Sequence, residues 1–278
     1  MTDLSTMPAA APARRLPAGH YRLIGAARME WIKLRSLRST RWTALIMAAA
    51  MIGLGIVVLR WYPSHWQHLP AAQKASFDPA NSGFAGLAIA QLAVGIIGVL
   101  VMTSEYSSGM IRATLAAVPD RRLLLTAKAA VLGLAALAAG ELLSFVTFLA
   151  GQAVLTSPAP HATLGQPGVL RAVLLAGAYL CLVGLIGLGI GAIIRHSAGA
   201  IAALVGLILA LPLVLATFPG SLQHSAGRYL PMMIAENSLT VIRPVPFALS
   251  PWAGLGMLCL YAAAALAAGG LLLARRDA

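Results

Sequence analysis

Six stretches of the chain stay apolar for long enough to cross a bilayer core, which takes about 20 helical residues. They lie near residues 42–59, 83–102, 129–155, 172–194, 198–218 and 252–273. The fourth and fifth are separated only by Arg195-His196-Ser197, which predicts a tight antiparallel hairpin. From Tyr21 to Arg41 the pattern is different. Ile24, Ala27, Trp31, Leu34 and Leu37 recur at three- and four-residue steps, and Arg28, Lys33, Arg35 and Arg38 take other positions on the wheel. A basic amphipathic helix with a Trp belongs in the plane of the membrane interface, with its cations at the phosphates. A plainer reading is a basic anchor that sets topology. Glu30 stands one short helical step from Lys33, a pair worth a few tenths of a kcal/mol. Residues 1–20, rich in Ala and Pro, read as disordered. The pattern predicts an all-α, polytopic integral membrane protein, its six transmembrane helices preceded by an amphipathic interfacial helix.

The longest polar interruption on one side is 104–128, SEYSSGMIRATLAAVPDRRLLLTAK. It holds Glu105, the turn-forming pair Ser108-Gly109, a helical run from Met110 to Ala117, then Pro119-Asp120 and Arg121-Arg122. Joining two spans needs only a few polar residues, so an amphipathic helix of about two turns between breakers needs another reason. Two readings stay open: a docking element for a soluble partner, or an interfacial helix resting on lipid headgroups. On the other side, 60–82 carries Trp, His and Pro, 156–170 is short and rich in Pro and Gly, and 219–251 is punctuated by five prolines. Between those prolines, Met232 to Ile242 reads as a short helix dipping toward the membrane.

Composition sharpens the class. Of 278 residues, 59% are hydrophobic and 10% charged, where a soluble domain carries about 25% charged. The net charge of +12 lies in clusters between apolar blocks, so it sets orientation in a membrane and argues against nucleic-acid binding. All Lys and Arg except Arg60, Lys74, Arg171, Arg228 and Arg243 fall on one side. The expectation is a plasma-membrane protein with both termini cytoplasmic. No cleavable signal peptide is expected, since the first apolar run begins near Trp42. Cys181 and Cys259, both inside apolar blocks, read as small buried side chains.

Candidate chemistry is sparse. No GxxxxGK[ST] loop occurs, so no P-loop nucleotide site is expected in this chain. HExxH, GxSxG and a metal-spaced His/Cys cluster are also absent, and His65 and His68, beside Trp61 and Trp66, read as an aromatic interfacial belt. Glu141 stands mid-way along the third span, where an ionisable group costs about 2.5–3.5 kcal/mol and should face the bundle interior. It is a candidate substrate or proton path, or a carboxyl tying helices together through Ser144, Gln152 or Gln91. Glu105 would cap the following helix or pair with Arg112. Gly184, Gly187, Gly189 and Gly191 form a small-residue ridge suited to close helix packing. Pro212 would kink the fifth span.

Glu105, Gly109, Ile111-Arg112, Thr114-Leu115, Pro119, Arg121 and Lys128, set between two membrane helices, resemble the permease subunits of type-two ABC exporters. The EWIKLRS run resembles that family's elbow helix, and YLPMMIAEN, ALSPWAGL and LLLARRDA resemble its last segments. The resemblance implies that Gly109 to Leu115 form a coupling helix on a separate ATP-binding subunit, with Glu105, Gly109, Met110, Ile111, Arg112, Thr114 and Leu115 as the coupling residues and Arg112 reaching the ATPase surface. Trp31, Lys33, Arg35 and Arg38 would belong to the elbow. ATP and Mg would sit on the partner, no cofactor on this chain, and a second permease copy or a paralogue would complete the assembly. The expected function is export of an apolar or amphiphilic substrate, by a transport subunit that is not itself an enzyme. The rivals are a proton- or ion-coupled secondary transporter using Glu141, against which no repeated half is found, and a membrane-embedded lipid-modifying enzyme, for which Glu30, Glu105, Asp120, Glu141 and Glu236 are too scattered.

Overall fold

The computed structural model describes residues 23–36, 38–242 and 248–275, with the side chains of 38–40 excluded. The segment 1–20, Leu37, Arg243 and the Arg38 side chain therefore lie outside the described residues. Within them the chain is all α, without a strand. Among the described residues, six helices are long and apolar enough to cross a membrane: Arg41–His68, Leu87–Ser107, Arg121–Val154, Val169–Ile194, Ser197–Leu215 and Pro251–Arg275. The protein is membrane-embedded by that criterion.

In chain order, α1 (Leu23–Ser36) precedes the long α2 (Arg38–His65). The short α3 (Ala71–Ser76) and α4 (Pro79–Gly83) lead into α5 (Leu87–Ser107). Next come α6 (Met110–Ala117), α7 (Arg121–Val154) and α8 (Val169–Ile194). The fifth span is α9 (Ser197–Val205), a π-helical turn over Gly206–Ala210, and α10 (Leu211–Leu215). Then α11 (Gly220–Gly227) and α12 (Pro231–Leu239) precede α13 (Pro251–Arg275).

The fourth span, α8, is the central post. Of its most apolar stretch 72% is buried, against 17% for the fifth span and 22% for the first and sixth. Its glycines explain how three helices reach it. A Cβ on Gly98 of α5 would overlap the Gly184 carbonyl, and one on Gly187 would overlap the Gly95 carbonyl. Gly189 meets Ala265 of α13 in the same way, and Gly177 meets Gly140 and Glu141 of α7. Backbones that approach this closely gain dispersion contacts that lipid tails cannot replace. The small-residue ridge is thus taken up inside the chain. Cys181 is buried, but Cys259 is exposed on α13, contrary to its expected burial; on a spanning helix an outward apolar position meets lipid, not core.

Pro212 acts through the turn before it. Its ring has no N–H to donate and clashes with the carbonyl four residues back. The ladder opens there into the π-turn that contains Ile208, so the irregularity has an identified cause.

On the side opposite α6, one buried carboxylate organises the surface segments. Asp78 Oδ1 accepts from the N–H groups of Ala80 and Asn81, capping α4. Its Oδ2 accepts from Val241 N (2.6 Å) and Ile242 N (3.1 Å), just past α12. Arg171 Nη2 donates to Thr240 O, and Gln152 Nε2 donates to Pro79 O. The helix expected over Met232 to Ile242 is α12, one turn shorter, held at its C-terminal end by these bonds. His65 stacks on Trp61 with centroids 4.3 Å apart, and Tyr62 and Trp66 pack on Phe77.

Candidate functional site

The segment between the second and third spans is shorter than the expected 104–128. The α5 helix continues to Ser107, and α7 begins at Arg121 because the Asp120 carboxylate accepts from the N–H groups of Arg122 and Leu123. What remains, 108–120, is built around α6. Gly109 makes the entry with φ 71°, in the left-handed region that favours glycine. Ile111 and Thr114 turn inward and are buried, while Leu115 packs in a cluster with Ala26, Val118, Leu124 and Ala127. Met110, Arg112, Ala113 and Ala116 are exposed. The short helix thus sits on the bundle by its apolar face and presents a two-turn outer face.

Beneath α6 lies a charge cluster that joins four elements. Lys128 of α7, fully buried, donates to Glu30 Oε2 (2.8 Å), Glu105 Oε1 (2.6 Å) and Val101 O (3.4 Å). Lys33 of α1 donates to Glu105 Oε1 (2.8 Å), Glu30 Oε1 (3.2 Å) and Thr114 Oγ1 (3.2 Å). Each ammonium thereby uses all three of its donors. Two carboxylates and two ammoniums leave the quartet neutral, which allows it to sit in an apolar surrounding. Burial alone would lower the Lys33 pKa, but the carboxylates of Glu105 and Glu30 outweigh it and hold the ammonium above its ordinary value. Desolvation offsets much of the attraction in such clusters, so their clearer effect is to fix register. Here the register is that of α1 and α6 against α5 and α7. A cavity of ≈ 370 Å³ adjoins the quartet, walled by Leu34, Val101, Met110 and Val131.

Several expectations change. Glu105 neither caps α6 nor pairs with Arg112. It stands on the inner face of α5, one turn beyond Val101, and its partners are the two lysines. Lys33 is not an interfacial cation but an inward member of the quartet, and its short-range pair with Glu30 is part of that larger cluster. Trp31 and Arg35 do face outward, with the Arg35 guanidinium 5.9 Å from the Trp31 ring. Ile24 and Ile32 are exposed as well. The helix thus turns Glu30 and Lys33 inward with Ala26 and leaves Ile24, Trp31, Ile32, Arg28 and Arg35 exposed. The long-range bonds of Lys128 were not anticipated. The available signal was charge balance: Glu30, Glu105, Lys33 and Lys128 sum to zero.

The same side is closed by two arginines. Arg121 Nη1 donates to Leu273 O and Arg195 Nη2 to Leu272 O, satisfying carbonyls at the end of α13. The Arg195 guanidinium also lies 5.2 Å from the Tyr106 ring. Elsewhere, Glu141 packs against Gly177 at the α7–α8 crossing, and its buried Oε2 has no hydrogen-bond partner. The expected ties do not form. Ser144 donates to the Glu141 backbone carbonyl, Gln152 bonds Pro79 and Ala162, and Gln91 accepts from the Tyr179 hydroxyl. Comparison with protein-family models gives no match, and comparison with curated proteins gives none either.

Proposed function

We propose that this protein is the membrane-spanning permease subunit of an ABC-type exporter, driven by ATP hydrolysed on a separate subunit. The observation that carries the reading is α6. It is a short helix at the end of two spans, with Ile111 and Thr114 buried beneath it and Met110, Arg112, Ala113 and Ala116 facing out. The quartet under it ties α6, through Thr114 and Lys33, to α1, α5 and α7. A push on the outer face is thereby transmitted to two spans and to α1 as one unit, because buried charges cannot separate without large cost. Arg112 supplies a guanidinium that pairs bidentately with a carboxylate on a docking surface. In this reading the side bearing α6 and both chain ends is cytoplasmic, a second permease copy or paralogue completes the assembly, and the cargo is apolar or amphiphilic.

The test is purification in mild detergent from the native cell, comparing wild type with Arg112→Glu. A P-loop ATPase that accompanies wild type and is lost with the variant supports the reading; its absence from wild type contradicts it. One observation favours a second reading, proton-coupled transport without an ATPase: the Glu141 carboxyl at the α7–α8 crossing, with one oxygen unpartnered. That reading requires Glu141→Gln to abolish pH-gradient-driven transport in vesicles free of ATP.

A further inference from the structure

A second site stands on the side opposite α6. A cavity of ≈ 380 Å³ opens between α10, α11 and α12, within the roughly 300–1,000 Å³ range of small-ligand sites. Arg228 and Glu236 both line it. No ion pair joins them, and among the described residues neither has another ion-pair partner. Among the described residues, Arg228 Nε is buried without a hydrogen-bond acceptor, and the guanidinium lies over the Tyr229 ring, 4.8 Å from its centroid. Glu236 is exposed on α12, and desolvation holds its carboxyl above the ordinary carboxylate range. Two opposite charges in one cavity that do not neutralise each other are placed for a ligand carrying the complementary pair.

The surroundings narrow the ligand. One wall is the end of the fifth span, Pro212, Leu215 and Ala216. Leu211, Leu213 and Val214 of α10 are exposed, apolar surface next to the cavity. The other wall is held by hydrogen bonds. Asp78 and Arg171 fix the end of α12, and Gln223 Nε2 holds the α10–α11 turn through Ala216 O and Phe218 O. We propose that this cavity binds the zwitterionic head group of a phospholipid. Arg228 takes the phosphate oxygens, Glu236 takes the ammonium, and the acyl chains lie along α10. Recognition of phosphate by guanidinium and of ammonium by carboxylate uses charge-assisted hydrogen bonds, the stronger kind. The site does not depend on the ATPase reading, since it uses only residues of this chain.

The experiment is native mass spectrometry of the full chain in detergent. The probes are short-chain phosphatidylethanolamine, phosphatidylglycerol of equal chain length, and glycerophosphoethanolamine without acyl chains. Wild type should bind the zwitterionic lipid in preference to the anionic one. Arg228→Gln should weaken both lipids by about tenfold, the size of one lost charge-assisted bond. Glu236→Gln should weaken the zwitterionic lipid by about as much and leave the anionic one unchanged or tighter, because the repelling carboxylate is gone. A misfolded variant cannot produce that change of preference. An unchanged lipid preference in Glu236→Gln would overturn the proposal. So would binding of the free head group as tight as that of the lipid, which would make the occupant a soluble zwitterion.

Discussion

Replacing Lys128 with Met removes the only fully buried member of the quartet while keeping an apolar stem one atom shorter. Glu30 Oε2 loses its partner at 2.8 Å, and Glu105 Oε1 loses the closer of its two. The cluster then carries a net negative charge inside the bundle. Removing one partner of a buried ion pair costs about 3–5 kcal/mol. Lys33 remains on both carboxylates, at 2.8 and 3.2 Å, which places the expected cost near the lower end, about 3–4 kcal/mol. Lys33→Met should cost less, about 1–2 kcal/mol, because its side chain is 25% exposed and water can replace it. At about 2–4 °C per kcal/mol, Lys128→Met should lower the thermal midpoint in detergent by roughly 6–16 °C and Lys33→Met by roughly 2–8 °C. Pairing Lys128→Met with Glu105→Gln restores neutrality and should recover about 1 kcal/mol or more. Equal midpoints for wild type and Lys128→Met, or a larger loss from Lys33→Met, would refute the reasoning.

Other outcomes follow from the same geometry. The raised Lys33 pKa contributes stability that is fully present below the unfolded value of 10.5 and is lost as pH rises through the folded value. The thermal midpoint of Lys33→Met should therefore fall less steeply than that of wild type in an alkaline pH series. Gly98→Ala overlaps the Gly184 carbonyl and should destabilise by about 1–3 kcal/mol. In contrast, Gly53→Ala, with no atom within 4 Å of its Cβ, should be stabilising by about 0.5–1 kcal/mol in the same melts. Asp78→Ala removes the α4 cap and two further acceptor bonds, about 2–4 kcal/mol in all, and hydrogen exchange at Val241 and Ile242 should rise first.

Much of the fold was legible because hydrophobic length is a strong signal. Each expected span has its helix, and the breakers Gly109 and Pro119 bracket α6. The site was only half legible. Glu105 and Lys128 read as loop residues because a charge in sequence suggests solvent. Their neutralisation by Glu30 and Lys33, up to 98 positions apart, is what lets α5 and α7 extend through them. Similarly, α1 read as an interfacial helix with its cations at the phosphates; Ile24 and Trp31 do face out, but Glu30 and Lys33 turn inward to the cluster. Where the surrounding solvent is lipid, apolar side chains need no core, and the charged ones need protein partners. Nothing in Arg228 and Glu236, eight positions apart, indicates from sequence that they share a cavity without pairing.

In the proposed assembly the outer face of α6 meets an ATP-binding subunit. Site-specific photo-crosslinking in native membranes tests it most directly, with the reactive group placed at the exposed Ala113 and, as a control, at the buried Ala127. An adduct from position 113 to a P-loop ATPase is expected, absent from position 127 and lost when Arg112→Glu is added. Adducts from position 113 to lipid alone would contradict it, and would make α6 a helix that rests on headgroups.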